Sequence, residues 1–133
     1  MKTLTIPIML TAFAVAACQP LLAPDTPDQI PQVMQGRWGL TENDCDPTRD
    51  DNKGLMVVGP DTLRFYEARA TLTQITGGDS TRLQADYAFT GEGQSWTRQI
   101  TFESQDGGMI LLRTDQGDGA TGDTYRYLDC EAV

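Results

Sequence analysis

Apolar and polar positions alternate with a period of two along most of the chain beyond its first thirty residues. Leu83, Ala85, Tyr87 and Phe89 share one face of an extended segment, with Arg82, Gln84 and Asp86 on the other. Trp96, Arg98, Ile100 and Phe102 alternate with Thr97, Gln99 and Thr101. Leu63 and Phe65 oppose Arg64 and Tyr66, while Ala68, Ala70 and Leu72 oppose Arg69, Thr71 and Thr73. Successive side chains of a strand point to opposite faces, so this pattern predicts strands with one buried face. Shorter apolar runs at Leu55–Val58, Met109–Leu112 and Tyr125–Leu128 add further strands. Past the N-terminal stretch, no segment of convincing length carries a helical period.

Turn residues divide these runs: Gly59-Pro60-Asp61, Gly77-Gly78-Asp79, Gly91-Glu92-Gly93, Asp106-Gly107-Gly108 and Gly117-Asp118-Gly119. Short strands at regular spacing with such punctuation indicate an all-β sandwich or barrel. Neighbours joined by short turns are antiparallel and follow one another in space. The expected fold is therefore all-β: a small antiparallel up-and-down barrel, or barrel-like sandwich, of roughly six to eight strands, since closure removes exposed edges.

The N-terminus follows other rules. Met1-Lys2 is a short positive region, and Leu4 to Val15 is an apolar run broken by Thr5, Pro7 and Thr11. It falls short of the roughly 20 residues a membrane-spanning helix needs, and has the length of the apolar core of a secretory signal. Val15-Ala16-Ala17-Cys18 resembles the lipobox of bacterial lipoproteins: an aliphatic residue, two small ones, then cysteine. The resemblance implies cleavage before Cys18, a diacylglycerol on its thiol and usually an acyl chain on the new amine. Gln19, where inner-membrane retention in that family tends to place Asp, implies the outer membrane, facing the periplasm. One acyl chain holds marginally, whereas two or three anchor stably.

Residues 19–31 carry prolines at 20, 24, 27 and 31 without sustained periodicity. Proline fixes φ and extends the residue before it, so the segment reads as a semi-rigid spacer of up to roughly 40 Å. The expected organisation is a signal over 1–17, lipidated Cys18 and tether over 18–31, and a barrel domain over 32–133.

Charge narrows the partners. The chain has 10 Lys+Arg against 19 Asp+Glu, for a formal charge of −9. Loss of Lys2 with the signal makes the balance more acidic still, so the lipid on Cys18 must hold the membrane without polybasic help. Nucleic acid, which needs a cationic face, is not an expected partner.

With Cys18 assigned to lipid, Cys45 and Cys130 remain as an even pair in an oxidising compartment. A disulfide between them would tie the loop after the first strand to the last residues of the chain. Closing so long a loop stabilises by about 4 kcal/mol on the chain-entropy model.

Histidine is absent, which excludes Ser-His-Asp hydrolysis and removes the commonest zinc ligand. Ser80, Ser95 and Ser104 lie outside any Gly-x-Ser-x-Gly elbow. Glu67, Glu92 and Glu103 offer carboxylates for glycoside cleavage, but their spacing selects no two of them. Asp44, Asp46, Asp50, Asp51 and Asn52 crowd one loop, and Asp115, Asp118 and Asp123 another. Oxygen-rich loops suit calcium, yet Arg49 and Leu55 stand where an EF-hand needs glycine and glutamate. No catalysis, metal or other cofactor is expected.

Gly36-Arg37-Trp38 resembles the Gly-x-Trp of lipocalin-type barrels, which implies a tryptophan plugging one end and a late arginine, here Arg126, lying across it. Gly36-Arg37-Trp38-Gly39-Leu40 with Cys45 following is similar to the start of small periplasmic inhibitor barrels. The expected role is a protein-binding or accessory module of the envelope. Arg64, Tyr66, Arg69 and Arg98 are its candidate contact residues, because tyrosine and arginine are enriched in interfaces. Inhibition of a basic secreted hydrolase such as lysozyme, aided by the acidic charge, is the alternative. A small apolar ligand in the lumen ranks last, since a barrel this small is filled by its own side chains.

Overall fold

A computed structural model describes residues 26–133. Cys18, the expected signal and the first part of the expected tether lie outside the described residues. Eight antiparallel strands form a closed barrel in sequence order: β1 (Gly36–Gly39), β2 (Leu55–Val58), β3 (Thr62–Arg64), β4 (Arg69–Gly78), β5 (Arg82–Gly91), β6 (Gln94–Gln105), β7 (Ile110–Gln116) and β8 (Thr124–Asp129). The meander agrees with the alternation in the sequence. The inward residues Leu83, Ala85, Tyr87, Phe89, Ile100 and Phe102 are all buried.

Curvature has a local source. Register shifts between Leu72 and Gln74, and between Ile75 and Gly77, place Thr73 and Thr76 as extra residues in β4. Each threonine hydroxyl donates to a carbonyl of β5, Thr73 to Asp86 at 3.0 Å and Thr76 to Gln84 at 3.1 Å. Bulges bend and twist a strand, which a closing sheet requires, and here side chains replace part of the interrupted ladder.

The barrel closes where β1 meets β8, through only two paired positions, Trp38 with Asp129 and Gly39 with Leu128. The Cys45–Cys130 disulfide bridges this seam, with Cα atoms 5.1 Å apart. A 3₁₀ turn over Glu42–Cys45 brings Cys45 back over β1. A side chain at Gly39 would meet the Cys45 sulfur at 2.8 Å, so the close approach needs glycine. Asp44 fixes the turn by accepting from Thr41 N and Gly54 N.

The chain enters at one pole. Ile30 N donates to Pro60 O, and a 3₁₀ turn over Gln32–Met34 covers this end. Ile30 and Met34 are fully buried, so the domain begins before the boundary expected at residue 32. Trp38 donates its indole N–H to Met34 O at 2.9 Å. Arg126 does not lie across this tryptophan: it is exposed on the outer face of β8, opposite in facing to buried Tyr127. The turns 59–61, 79–81 and 106–109 share this closed pole. The loops 40–54, 65–68, 92–93 and 117–123 leave from the opposite, open pole.

Candidate functional site

The open pole is crossed by a column of flat groups. Trp96 stacks on Phe89 with ring centres 5.4 Å apart, and Phe89 on Phe65 at 5.8 Å. The Arg113 guanidinium continues the column, 4.6 Å from the Phe65 centre and 5.2 Å from that of Tyr125. A guanidinium over aromatic faces is favoured by their quadrupole, more so where water is excluded.

Beneath the column lies a charged network. Asp115, 4% exposed, accepts two hydrogen bonds from Arg113, both at 2.7 Å, and one from Arg98 at 3.2 Å. Arg113 also donates to the Tyr127 hydroxyl at 2.8 Å. Burial disfavours charge on Arg113, but the hydrogen bonds and charges of Asp115 and Tyr127 outweigh it, and its pKa stands above the ordinary arginine value. Burial also raises the Tyr127 phenol, against the pull of Arg113. Two guanidiniums share one carboxylate, so the floor of the mouth carries a net positive charge.

This network is a surprise from the sequence side. Asp115 reads there as part of an acidic, glycine-rich loop. It instead lies within β7, which runs to Gln116 rather than stopping at Leu112. Leu111, Arg113 and Asp115 occupy successive inward positions, so their period-two spacing was the available signal. Their charge argued for the opposite face.

Arg98 is corrected in the same way. As an expected surface contact it should be free, yet it is half-buried, paired with Asp115 and bonded to Asp118 O. It shares the inward face with Trp96 and Ile100. The other three contact candidates lie near one another. Arg64, Tyr66 and Arg69 lie exposed on the β3–β4 hairpin, where Arg64 and Arg69 are directly paired.

A cleft of about 400 Å³ opens beside this hairpin, walled by Phe65, Tyr66 and Trp96, with Lys53, Glu67 and Glu92 at its rim. Tyr66 is 48% exposed, and Lys53 Nζ sits 5.8 Å from its ring centre. The hairpins forming the cleft touch: a side chain at Gly91 would meet Glu67 O at 2.6 Å. Two of the three carboxylates weighed for glycoside cleavage, Glu67 and Glu92, thus share a rim, while Glu103 sits near the other end of β6.

The acidic loop has its own internal partners. The Asp46 carboxyl is held below the usual range by the hydroxyl and backbone N–H of Thr48, and Asp51 by Arg49. Among the described residues, no three acidic or cysteine side chains converge as a metal would require.

No family model matches the chain, and neither a curated protein nor a solved structure matches it.

Proposed function

We propose that this chain is an outer-membrane lipoprotein, anchored through lipid on Cys18, whose barrel acts as a non-enzymatic protein-binding module at its open pole. The observation that carries the reading is the placement of exposed Tyr66, beside the Phe65–Trp96 cleft, at the pole opposite the one where the chain enters. A tether at the closed pole leaves the open loops pointing to a partner. Buried side chains such as Trp38, Tyr87, Phe102 and Leu111 occupy the interior, which favours surface recognition over a ligand in the lumen.

Two measurements test this. Palmitate fed to intact cells should label the protein and fail to label the Cys18→Ser variant. A photocrosslinker at position 66 should capture a discrete envelope protein, whereas one at Met109, equally exposed at the closed pole, should not. Tyr66→Ala should abolish capture while changing stability by under about 0.5 kcal/mol, as surface substitutions do. Equal capture from both poles, or none from either, removes the binding reading; lack of label removes the anchor.

A second reading draws on the charge of the mouth loops. Glu42, Asp50, Asp51, Glu67, Glu92, Asp118 and Asp123 are exposed there, against Arg49 and Lys53. Such a rim suits a basic secreted hydrolase, through steering that weakens with salt. Retention on immobilised lysozyme at low salt, lost as salt rises, supports that partner; no retention at any salt excludes it.

A further inference from the structure

Arg64 and Arg69 are direct cross-strand neighbours on β3 and β4, and both are exposed. Side chains at such positions start about 5 Å apart, where like charges repel. The hydroxyls of Thr62 and Thr71 form the next outward pair of the same ladder, and Thr90 lies opposite Arg69 on β5. Among the described residues, none of these five side chains makes an ion pair or a hydrogen bond: the ion pairs are Arg49–Asp51, Arg98–Asp115 and Arg113–Asp115. The nearest carboxylate along the hairpin is Glu67 at its tip, which shares one cleft with the two arginines but forms no ion pair with either. A second cleft, of about 440 Å³, is bounded by the same arginines with Thr62 and Thr71. In a chain with nearly twice as many acidic as basic residues, the two clefts bring both arginines and three threonines together with one carboxylate, that of Glu67.

We infer that the Arg64–Arg69 pair, with its flanking threonine hydroxyls, is a binding site for a phosphate monoester group. Two planar guanidiniums side by side match the oxygens of a tetrahedral oxyanion, and charge-assisted hydrogen bonds are the stronger ones. An anion between them also converts their mutual repulsion into two attractions. The pair lies at the base of the hairpin whose tip carries Tyr66, so the two sites adjoin. The arginine variants keep Tyr66 and Tyr66→Ala keeps the arginines, so loss of one role is distinguishable from loss of the other.

The test uses the chain carrying Cys18→Ser, which has no lipid to drive membrane insertion. Inorganic phosphate, titrated at constant ionic strength against chloride, should shift the Arg64 and Arg69 guanidinium Nε–H signals in a saturable way. Arg64→Gln and Arg69→Gln should each weaken that binding about tenfold or more. Arg82→Gln removes the same charge from an exposed position elsewhere and should change it less than twofold. Sedimentation with phosphatidylcholine vesicles, with and without phosphatidic acid, then identifies the source. Arg64- and Arg69-dependent binding to the phosphatidic acid vesicles assigns a lipid headgroup. Saturation by free phosphate without vesicle binding assigns a soluble ester. The inference is overturned if the shifts never saturate, if Arg82→Gln weakens binding as much, or if the Arg64→Gln/Arg69→Gln double variant still binds. Thermal melts in phosphate-free buffer should show these exposed variants as stable as the parent, which separates loss of the site from loss of the fold.

Discussion

The two poles of this barrel are sealed by opposite means. At the closed pole, Ile30, Met34 and Trp38 exclude water with apolar surface, and one hydrogen bond satisfies the indole. At the open pole a buried carboxylate and two guanidiniums do the sealing, under a column of aromatic rings. An apolar plug tolerates the loss of any one neighbour in proportion to the volume lost. A buried charged network depends on every member, because each unpaired charge left behind carries its full desolvation cost.

The largest effect should come from the closed pole. Trp38→Ala removes the largest fully buried side chain and should lower stability in urea by about 4 kcal/mol, enough to unfold a marginal domain. A loss under about 1 kcal/mol would mean that the plug is dispensable.

Asp115→Asn sharpens the contrast. It preserves shape yet strands two guanidiniums, and should cost about 3 kcal/mol. Combining it with Arg113→Met should recover part of that loss, since the more buried charge then goes too. If the double variant is no better than the single, the network is not acting as a unit.

Tyr87 gives the smallest effect and the clearest pH signature. Its hydroxyl is buried without a partner among the described residues. Burial pushes its phenol above the ordinary value near 10. The folded chain thus keeps a proton that the unfolded chain has lost in strong alkali. The unfolded state then binds fewer protons, so stability is fully present below about pH 10 and declines above it. Tyr87→Phe should raise stability near pH 7 by about 1 kcal/mol and flatten the alkaline decline, with Tyr127 supplying the remainder. Urea titrations at pH 7 and pH 11 read both. A loss of stability at pH 7 would show that the hydroxyl has a partner after all, most simply buried water.

Much of this architecture is legible along the chain because strand alternation and hairpin turns are local. The faces of β4, β5 and β6, the short connections and the antiparallel meander all follow from neighbours within about a dozen residues. The pairing of Arg64 with Arg69 is likewise local, since the turn between them sets their register. The mouth network was not legible, because inward charges on β7 look like outward ones until a partner on another strand is known. Ile30 was hidden by the prolines around it, which mask one buried anchor in a segment that otherwise reads as spacer.

By itself the sequence determined where most strands run, which face their apolar residues bury and where the hairpins turn, because those preferences act through adjacent side chains and backbone torsions. Closure was decided only in three dimensions. The stagger of the strands around the barrel carried Arg98 and Asp115, read separately as a surface contact and as part of an acidic loop, into one network with Arg113. It also brought the weak β1–β8 seam within reach of the Cys45–Cys130 bond, since contacts between distant segments exist only once the whole ring has formed.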